Sequence, residues 1–283
     1  MAPALAGLVL FILLPFASAV AMSFTNLRLG SPLPLELVGL REYARIFADP
    51  AFRRALFNNA LFALVVVPAQ TALALGLAML LNRRRRGIAL FRAMFFMPVV
   101  FPMSLVAVVW VLIYAPGPNG LMNGLLSAVT FGHWVPRDFL HDAYLALPAV
   151  MLTSIWQGVG FQMVVLLGGL QSIPADLYEA AAVDGAGPWR CFWRITLPQL
   201  RNPLIFVVVM TTILSFRLFD QVRIMTQGGP NDATTTVIYQ SVQAAFDRAQ
   251  VARGAAMAVT FVVIVLAVTL LQRRLFKQVR EVP

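Results

Sequence analysis

Six long apolar runs, separated by shorter polar segments, set the pattern of the chain. Five carry no charged residue and are close to the roughly 20 residues that a membrane-spanning helix needs; they cover residues 4–23, 55–81, 93–114, 144–170 and 254–271. The sixth, from 203 to about 226, is uncharged as far as Phe216 and then carries Arg217, Asp220 and Arg223. Because the runs are continuous rather than alternating, they favour helices over a β-barrel. We therefore predict an all-α integral membrane protein with six transmembrane helices.

The composition supports this prediction and excludes other classes of protein. Charged residues make up 12% of the 283 residues and hydrophobic residues 60%, with a mean hydropathy of +0.79. A soluble domain has about 25% charged residues. The net charge of +10 does not indicate nucleic-acid binding, because the chain has no basic helix with interleaved aromatic residues. Basic residues of membrane proteins collect instead in cytoplasmic loops.

Few residues could bind a metal or form a disulfide. The single cysteine, Cys191, excludes an intrachain disulfide framework and a multi-cysteine metal site. His133 and His141 share one loop with Asp138 and Asp142, so a metal site there is one interpretation. We favour the other, that these are ordinary exposed loop residues, and expect neither a metal nor a cofactor to be bound by this chain.

Arginine clusters predict the orientation in the membrane. The block Arg83–Arg86 directly follows the second run, and a further basic group follows the last: Arg273, Arg274, Lys277 and Arg280. Since basic residues mark cytoplasmic loops, we predict that both termini and the loops 82–92 and 171–202 are cytoplasmic. The chain then divides into a first helix with its outer loop (1–54), a core membrane domain (55–275) and a cytoplasmic tail (276–283).

The first run has a second interpretation. The pattern Ala19-x-Ala21 resembles a signal-peptide cleavage site. However, no basic residue precedes the run, and the run is longer than a typical signal-peptide core. We favour a retained transmembrane helix.

A polar segment at 172–202 interrupts the apolar chain. It contains residues that typically begin and end helices, at positions that predict two short helices. Pro174 suits the first turn of a helix, and Ser172 is a possible cap. Gly185 is expected to end this helix in the left-handed conformation. Gly187-Pro188 is expected to begin a second helix, which Pro198 should end, because the residue before a proline avoids the helical region.

The residues alone leave two roles open for this segment. It could be an amphipathic connector at the lipid headgroups, anchored by Trp189 and Trp193. It could also be a docking surface, because its alanines permit close approach and Glu179 and Asp184 offer charge partners.

A sequence motif in the segment favours docking. Glu-Ala-Ala is followed after two residues by Asp-Gly-Ala, and after eight more by Ile-x-Leu-Pro: Glu179, Ala180, Ala181, Asp184, Gly185, Ala186, Ile195, Leu197 and Pro198. The motif resembles the EAA loop of permease subunits of binding-protein-dependent ABC importers. Further strings resemble the sugar-importer branch of the maltose and glycerol-3-phosphate permease type: "FMPVVFP" at 96–102, "LFDQVRIMTQGGPNDATTT" at 218–236 and "VGLREYARIFADPAF" at 38–52.

The resemblance implies a fold, a role and partners. It implies the transmembrane-domain fold of type I ABC importers. Glu179 through Gly185 would form a cytoplasmic coupling helix that docks into an ATPase, with Ile195 to Pro198 as its support. The implied partners are two ATP-binding subunits, a second permease subunit in a heterodimer, an extracytoplasmic solute-binding protein and the lipid bilayer. The chain itself has no P-loop, since its only lysine is Lys277, followed by Gln278. ATP and magnesium are therefore expected on the partner ATPase.

A polar stripe in the fifth span is a candidate wall of the solute pathway. Arg217, Asp220 and Gln221 lie in its outer half, and Gln157 in the fourth span is a further candidate. Arg217, Asp220 and Arg223 are three residues apart, so they could pair with one another instead. The alternative is a helix that leaves the membrane near Asp220. A sugar is the expected solute; a glycerol-3-phosphate or polyol type of solute and, less favoured, a secondary transporter are the alternatives.

Overall fold

A computed structural model describes residues 2–32, 34–82, 86–118 and 120–278, which form helices joined by loops. In chain order the helices are α1 (Pro3–Ser23), α2 (Arg41–Ala48), α3 (Pro50–Leu81), α4 (Ile88–Val100), α5 (Met103–Ile113), α6 (Leu121–Val129), α7 (Ala146–Gln171), α8 (Ala175–Val183), α9 (Pro188–Gln199), α10 (Arg201–Phe216), α11 (Val237–Val242) and α12 (Val251–Gln278). The prediction of an all-α protein is confirmed for the described part of the chain.

Four of the predicted spans are single long helices. These are α1, α3, α7 and α12, which have the length and apolar composition needed to cross a membrane. Helix α3 begins at Pro50, earlier than predicted, because Asp49 caps it by accepting a hydrogen bond from the Ala51 amide at 2.9 Å. The total rises to six if the two sharply bent helix pairs are each counted as one span.

The third predicted span is not one straight helix but a bent pair of helices, which counts as one span only if the two are taken together. Helices α4 and α5 meet at an angle of 102°. Phe101 between them is extended, with ψ of 139°, because it precedes Pro102, which disfavours a helical backbone at the preceding residue. The run of apolar residues is therefore continuous in sequence but changes direction at Phe101.

The fifth predicted span ends earlier than expected. Helix α10 stops at Phe216, so the predicted continuation to about Thr226 was wrong. Arg217 lies at the end of this helix, and a separate π-helical turn, Val222–Thr226, follows. Sixteen residues span about 24 Å at 1.5 Å per residue, which is shorter than a membrane core of about 30 Å. The helix thus ends before it has crossed such a core.

Helices α3 and α7 form the centre of the bundle. Near the end that carries the polar segment 172–202, they bury Ala78, Leu81, Met163 and Leu166 together with Leu200, and Leu200 is completely buried. At the opposite end, a second buried cluster joins α3, α5 and α7 to the turn after α10, and its centre includes Trp110, Tyr114, Val150 and Leu218. The polar segment is therefore connected directly to a packed core.

Glycines allow the helices to approach closely at two positions in α7. A Cβ on Gly160 would lie 2.1 Å from the carbonyl oxygen of Phe95, so the backbone of α4 crosses α7 at this glycine. A Cβ on Gly169 would lie 2.7 Å from the ring of Pro203 in α10. Gly168, in the same helix, has no such neighbour within 4 Å.

The basic blocks used to predict orientation lie partly outside the described residues. This applies to Arg83, Arg84 and Arg85 and to the tail from residue 279 onward. The cytoplasmic placement of both termini and the division into 1–54, 55–275 and 276–283 remain predictions.

Candidate coupling site and solute pathway

The segment 172–202 contains two short helices, as predicted. Three residues separate the end of α7 from the start of α8, so the two helices are tightly connected. Ser172 does not cap α8; its hydroxyl donates to the carbonyl of Gly169 at 2.8 Å and so closes the end of α7. The predicted cap was therefore wrong. Pro174 is extended and immediately precedes α8, and Asp176 lies in the first turn, where the helix dipole favours a negative charge.

Two glycines turn the chain between α8 and α9. Gly185 has φ of +70°, the left-handed conformation predicted for it. The amide of Ala186 donates to the carbonyl of Ala181 at 2.8 Å, which closes the end of α8. Gly187 has an extended backbone and precedes Pro188 at the start of α9, so the second predicted helix start is also confirmed.

Pro198 does not end the second helix, contrary to prediction. Leu197 has φ of −65° and ψ of −42°, so the residue before Pro198 is helical. A π-helical turn at Phe192–Thr196 directly precedes it, and the amide of Leu197 donates to the carbonyl of Phe192. This turn changes the hydrogen-bond register and places Pro198 in the first turn of the next segment, where its missing N–H costs little. The chain bends instead between α9 and α10, by 67°.

A short hydrogen bond and a buried leucine hold the two helices in place. The hydroxyls of Tyr178 in α8 and Thr196 in α9 are 2.9 Å apart, and Thr196 is buried. Four residues later, Leu200 is enclosed by the core of α3 and α7. The segment is thus anchored through α9, while α8 itself has no buried residue.

The motif residues form an exposed surface with a small cleft beside it. Ala181, Asp184 and Ala186 line one part of a cavity of about 260 Å³, and Ile195 lines another, together with Arg190, Cys191 and Arg194. Glu179 and Ala180 are exposed outside the cleft. Leu197 is half-buried and Pro198 is exposed, but neither lines it. The structure therefore brings together four of the nine predicted coupling residues around one cleft.

The charges of this surface have no partners in the described part of the chain. No ion pair there involves Glu179, Asp184, Arg190 or Arg194. Both signs of charge, at a cleft lined by charged and apolar residues, are consequently available to another molecule. The aromatic residues Trp189 and Trp193 are 74% and 51% exposed, so the connector role at the headgroups is compatible with the same geometry.

The polar residues proposed for the solute pathway separate into two groups. Arg217 and Asp220 are exposed where α10 ends. Gln221 is buried and donates to the hydroxyl of Ser154 in α7 at 3.1 Å. Gln157 donates to the carbonyl of Phe101 at 3.5 Å, at the elbow between α4 and α5.

Arg223 does not take part in the pairing with Asp220 that was considered along the fifth span. Its guanidinium donates to the carboxylate of Asp247 at 3.2 Å, rather than to Asp220. Asp220 and Arg223 lie in one short helical segment after α10, but the guanidinium of Arg223 contacts Asp247 instead.

Residues that hold the chain beyond α10 were only partly indicated by the sequence. The hydroxyl of Thr236 donates to the carbonyl of Leu218 at 2.9 Å, which satisfies a backbone group exposed by the helix end. Asn58 donates to the carbonyls of Asp232 and Thr235 at 3.0 and 2.9 Å. Two asparagines in an otherwise apolar run, Asn58 and Asn59, were the available signal.

A family model described as the binding-protein-dependent transport system inner membrane component matches residues 70–281. This is well over half of the chain. The protein belongs to this family of membrane permeases. The resemblance to permeases of binding-protein-dependent importers is thereby confirmed.

Curated relatives support the same assignment over nearly the full length. The permease is 36% identical over 284 aligned residues to the probable ABC transporter permease protein YurN of Bacillus subtilis, covering 99% of this chain and 95% of the relative. It is 34% identical to the sulfoquinovosyl glycerol transport system permease protein SmoG of Agrobacterium fabrum, covering 98% and 89%.

A solved structure confirms the predicted fold class. The permease superimposes on a chain of a bacterial alginate ABC transporter, solved in complex with an alginate pentasaccharide-bound periplasmic protein, with a TM-score of 0.85. The identity is 20%, and the match covers 99% of this chain and 93% of the other. The permease is thus an all-α, multi-pass protein of the inner membrane with the fold of an ABC importer permease. The roles of the individual EAA-loop residues stay predictions.

Proposed function

We propose that this permease forms part of the translocation pathway of an ATP-driven importer of a sugar or sugar-like solute. The carbohydrate named for the relative SmoG and the alginate bound in the structural neighbour support this class of solute. An extracytoplasmic binding protein would deliver the solute, as the family description indicates. Two ATP-binding subunits and a second, different permease subunit complete the proposed complex.

We further propose that the chain does not hydrolyse ATP and receives its energy through α8. The observation that carries this proposal is the exposure of α8, which has no buried residue although Tyr178 bonds it to Thr196 in α9. A helix at the surface of a protein normally buries one apolar face against the rest of that protein. Here Glu179 and the surrounding alanines present that face outward, and they suit docking into a cleft of a partner ATPase, where ATP and magnesium would be held.

Of the proposed pathway residues, three suit contact with a solute. Arg217 and Asp220 are exposed at a helix end, and Gln157 lies at the elbow of α4 and α5. Gln221 suits a structural role, because its amide already bonds to Ser154.

The coupling role can be tested with two matched glycine substitutions. Gly185 and Gly187 both have open space where a Cβ would lie, but only Gly185 has a left-handed backbone, with φ of +70°. Gly185→Val should force the chain out of this conformation, since a left-handed L-residue costs about 1–2 kcal/mol and β-branching adds to that cost. Gly187→Val fits the extended backbone before Pro188.

The measurement is solute uptake and binding-protein-stimulated ATP hydrolysis by the complete complex in proteoliposomes. We expect Gly185→Val to insert into the membrane normally but to lose most uptake and stimulation, while Gly187→Val keeps both. Full uptake by the Gly185→Val complex would contradict the proposed role of α8.

A further inference from the structure

A basic cleft lies between α10 and α12, outside the coupling surface. Its volume is about 560 Å³, within the range of about 300–1,000 Å³ typical of sites for small molecules. Arg201, Arg273 and Arg274 line one end. The cleft lies at the end of the bundle that carries α8, because Arg201 directly follows α9 and the completely buried Leu200.

The cleft changes from basic to apolar along its length. From Arg201 the lining continues through Ile205 to Val209, eight residues further along α10, which corresponds to about 12 Å of helix. Leu270 lines the cleft from α12. A ligand that fits this gradient has an anionic head and an apolar body about as long as the first part of an acyl chain.

The arginines at the basic end remain available to a ligand. The guanidinium of Arg201 donates to the carbonyl of Phe276 in α12 at 3.2 Å, which fixes it across the two helices and uses one of its five donors. Arg273 and Arg274 are exposed. Within the described residues, none of the three forms an ion pair, and no acidic side chain lines the cleft.

We propose that this cleft binds the headgroup and upper acyl chain of one anionic phospholipid. Guanidinium groups match phosphate oxygens geometrically and remain charged at every physiological pH. Basic pockets between transmembrane helices are suited to anionic headgroups at the membrane surface. The apolar wall of Ile205, Val209 and Leu270 selects a lipid over free phosphate, which has no acyl chain to bury.

The test is native mass spectrometry of the complete transporter complex, titrated with dioleoylphosphatidylglycerol and, separately, with dioleoylphosphatidylcholine. We expect one tightly bound phosphatidylglycerol per permease chain and markedly weaker binding of phosphatidylcholine. Arg273→Gln with Arg274→Gln should weaken phosphatidylglycerol binding about tenfold or more, the scale expected for losing two arginine–phosphate contacts.

The matched control removes another adjacent pair of exposed arginines. Arg53→Gln with Arg54→Gln changes the start of α3, at the opposite end of the bundle, by the same charge. This double variant should leave the affinity unchanged; an equal loss in both doubles would show non-specific attraction and overturn the proposal. Displacement of the lipid by inorganic phosphate at low millimolar concentration would also overturn it, because it would identify a free-anion site.

A second variant tests the apolar end without changing charge. Ile205→Trp should fill the cleft and reduce phosphatidylglycerol binding while all three arginines remain. Unchanged binding in this variant would contradict the proposal, whatever the transport activity of the complex. Because the readout is bound lipid, it is independent of whether the proposed sugar import and α8 coupling are correct.

Discussion

The crossing of α4 over α7 at Gly160 gives a quantitative prediction about stability. An alanine Cβ at this position would lie 2.1 Å from the carbonyl oxygen of Phe95 and 2.9 Å from the Cα of Phe96. Ordinary van der Waals contact begins at 3.4 Å. The two backbones would have to separate by about 1.3 Å, the difference between 3.4 and 2.1 Å, and neither can rotate away as a flexible side chain could.

The expected cost follows from two opposing effects. Overpacking of this kind costs about 1–3 kcal/mol, whereas replacing a helix-interior glycine by alanine stabilises a helix by up to about 1 kcal/mol. Gly168→Ala is the matched control, because Gly168 lies in the same helix and has nothing within 4 Å of a Cβ. Both variants gain the same stabilisation from replacing a helix-interior glycine by alanine, so their stabilities should differ only by the cost of overpacking. We expect Gly160→Ala to be less stable than Gly168→Ala by about 1–3 kcal/mol.

The assay is thermal unfolding of the purified permease in one detergent, followed by intrinsic tryptophan fluorescence. A change of 1 kcal/mol shifts Tm by about 2–4 °C in a protein of 150–250 residues. Gly160→Ala should therefore unfold several degrees below Gly168→Ala, which should match or exceed the unsubstituted protein. Equal Tm values for the two variants would refute the close crossing of α4 and α7.

Two further predictions concern the loops. Asn58→Leu should lower the stability by about 2–6 kcal/mol, because the carbonyls of Asp232 and Thr235 each lose a donor at about 1–3 kcal/mol. Faster proteolysis at 227–236 and a lower Tm would show it, and an unchanged Tm would contradict it. Partial burial raises the pKa of Asp138, but hydrogen bonds from the ring and amide of His141 lower it more, so the net pKa lies below its ordinary value. The carboxylate form therefore contributes stability that is lost as the pH falls below about 4, and the Tm difference between Asp138→Asn and the unsubstituted protein should shrink between pH 5 and pH 3; a difference independent of pH would contradict this.

The length of apolar runs was enough to predict α1, α3, α7 and α12, but not the directions of the other spans. Hydropathy measures how apolar a segment is, and the segment around Phe101 stays apolar through a turn of 102°. Pro98 and Pro102 were a signal of that turn. The sequence did not show which of the two prolines marks the turn. In the structure, Pro98 lies inside α4 without ending it, whereas Phe101, before Pro102, is extended.

The coupling segment was predicted best where a single residue controls the backbone. Gly185 and Gly187-Pro188 act through their own conformational limits, so their effects can be read locally. The predictions for Ser172 and Pro198 were wrong because their roles depend on neighbours: the carbonyl of Gly169 at the end of α7 in one case, and a π-helical turn in the other. The bond between Tyr178 and Thr196 joins residues 18 positions apart, and no local pattern predicts it.

Because α4 crosses α7 closely at Gly160, a tilt of α7 about this point would move the far end of the helix. From this pivot to Gln171 the helix continues for 11 residues, or about 17 Å, and three residues separate its end from the start of α8. A rotation of about 10° around the pivot would carry that end through about 3 Å. A rigid tilt of α7 at its crossing with α4 would therefore displace the start of α8 by a similar distance.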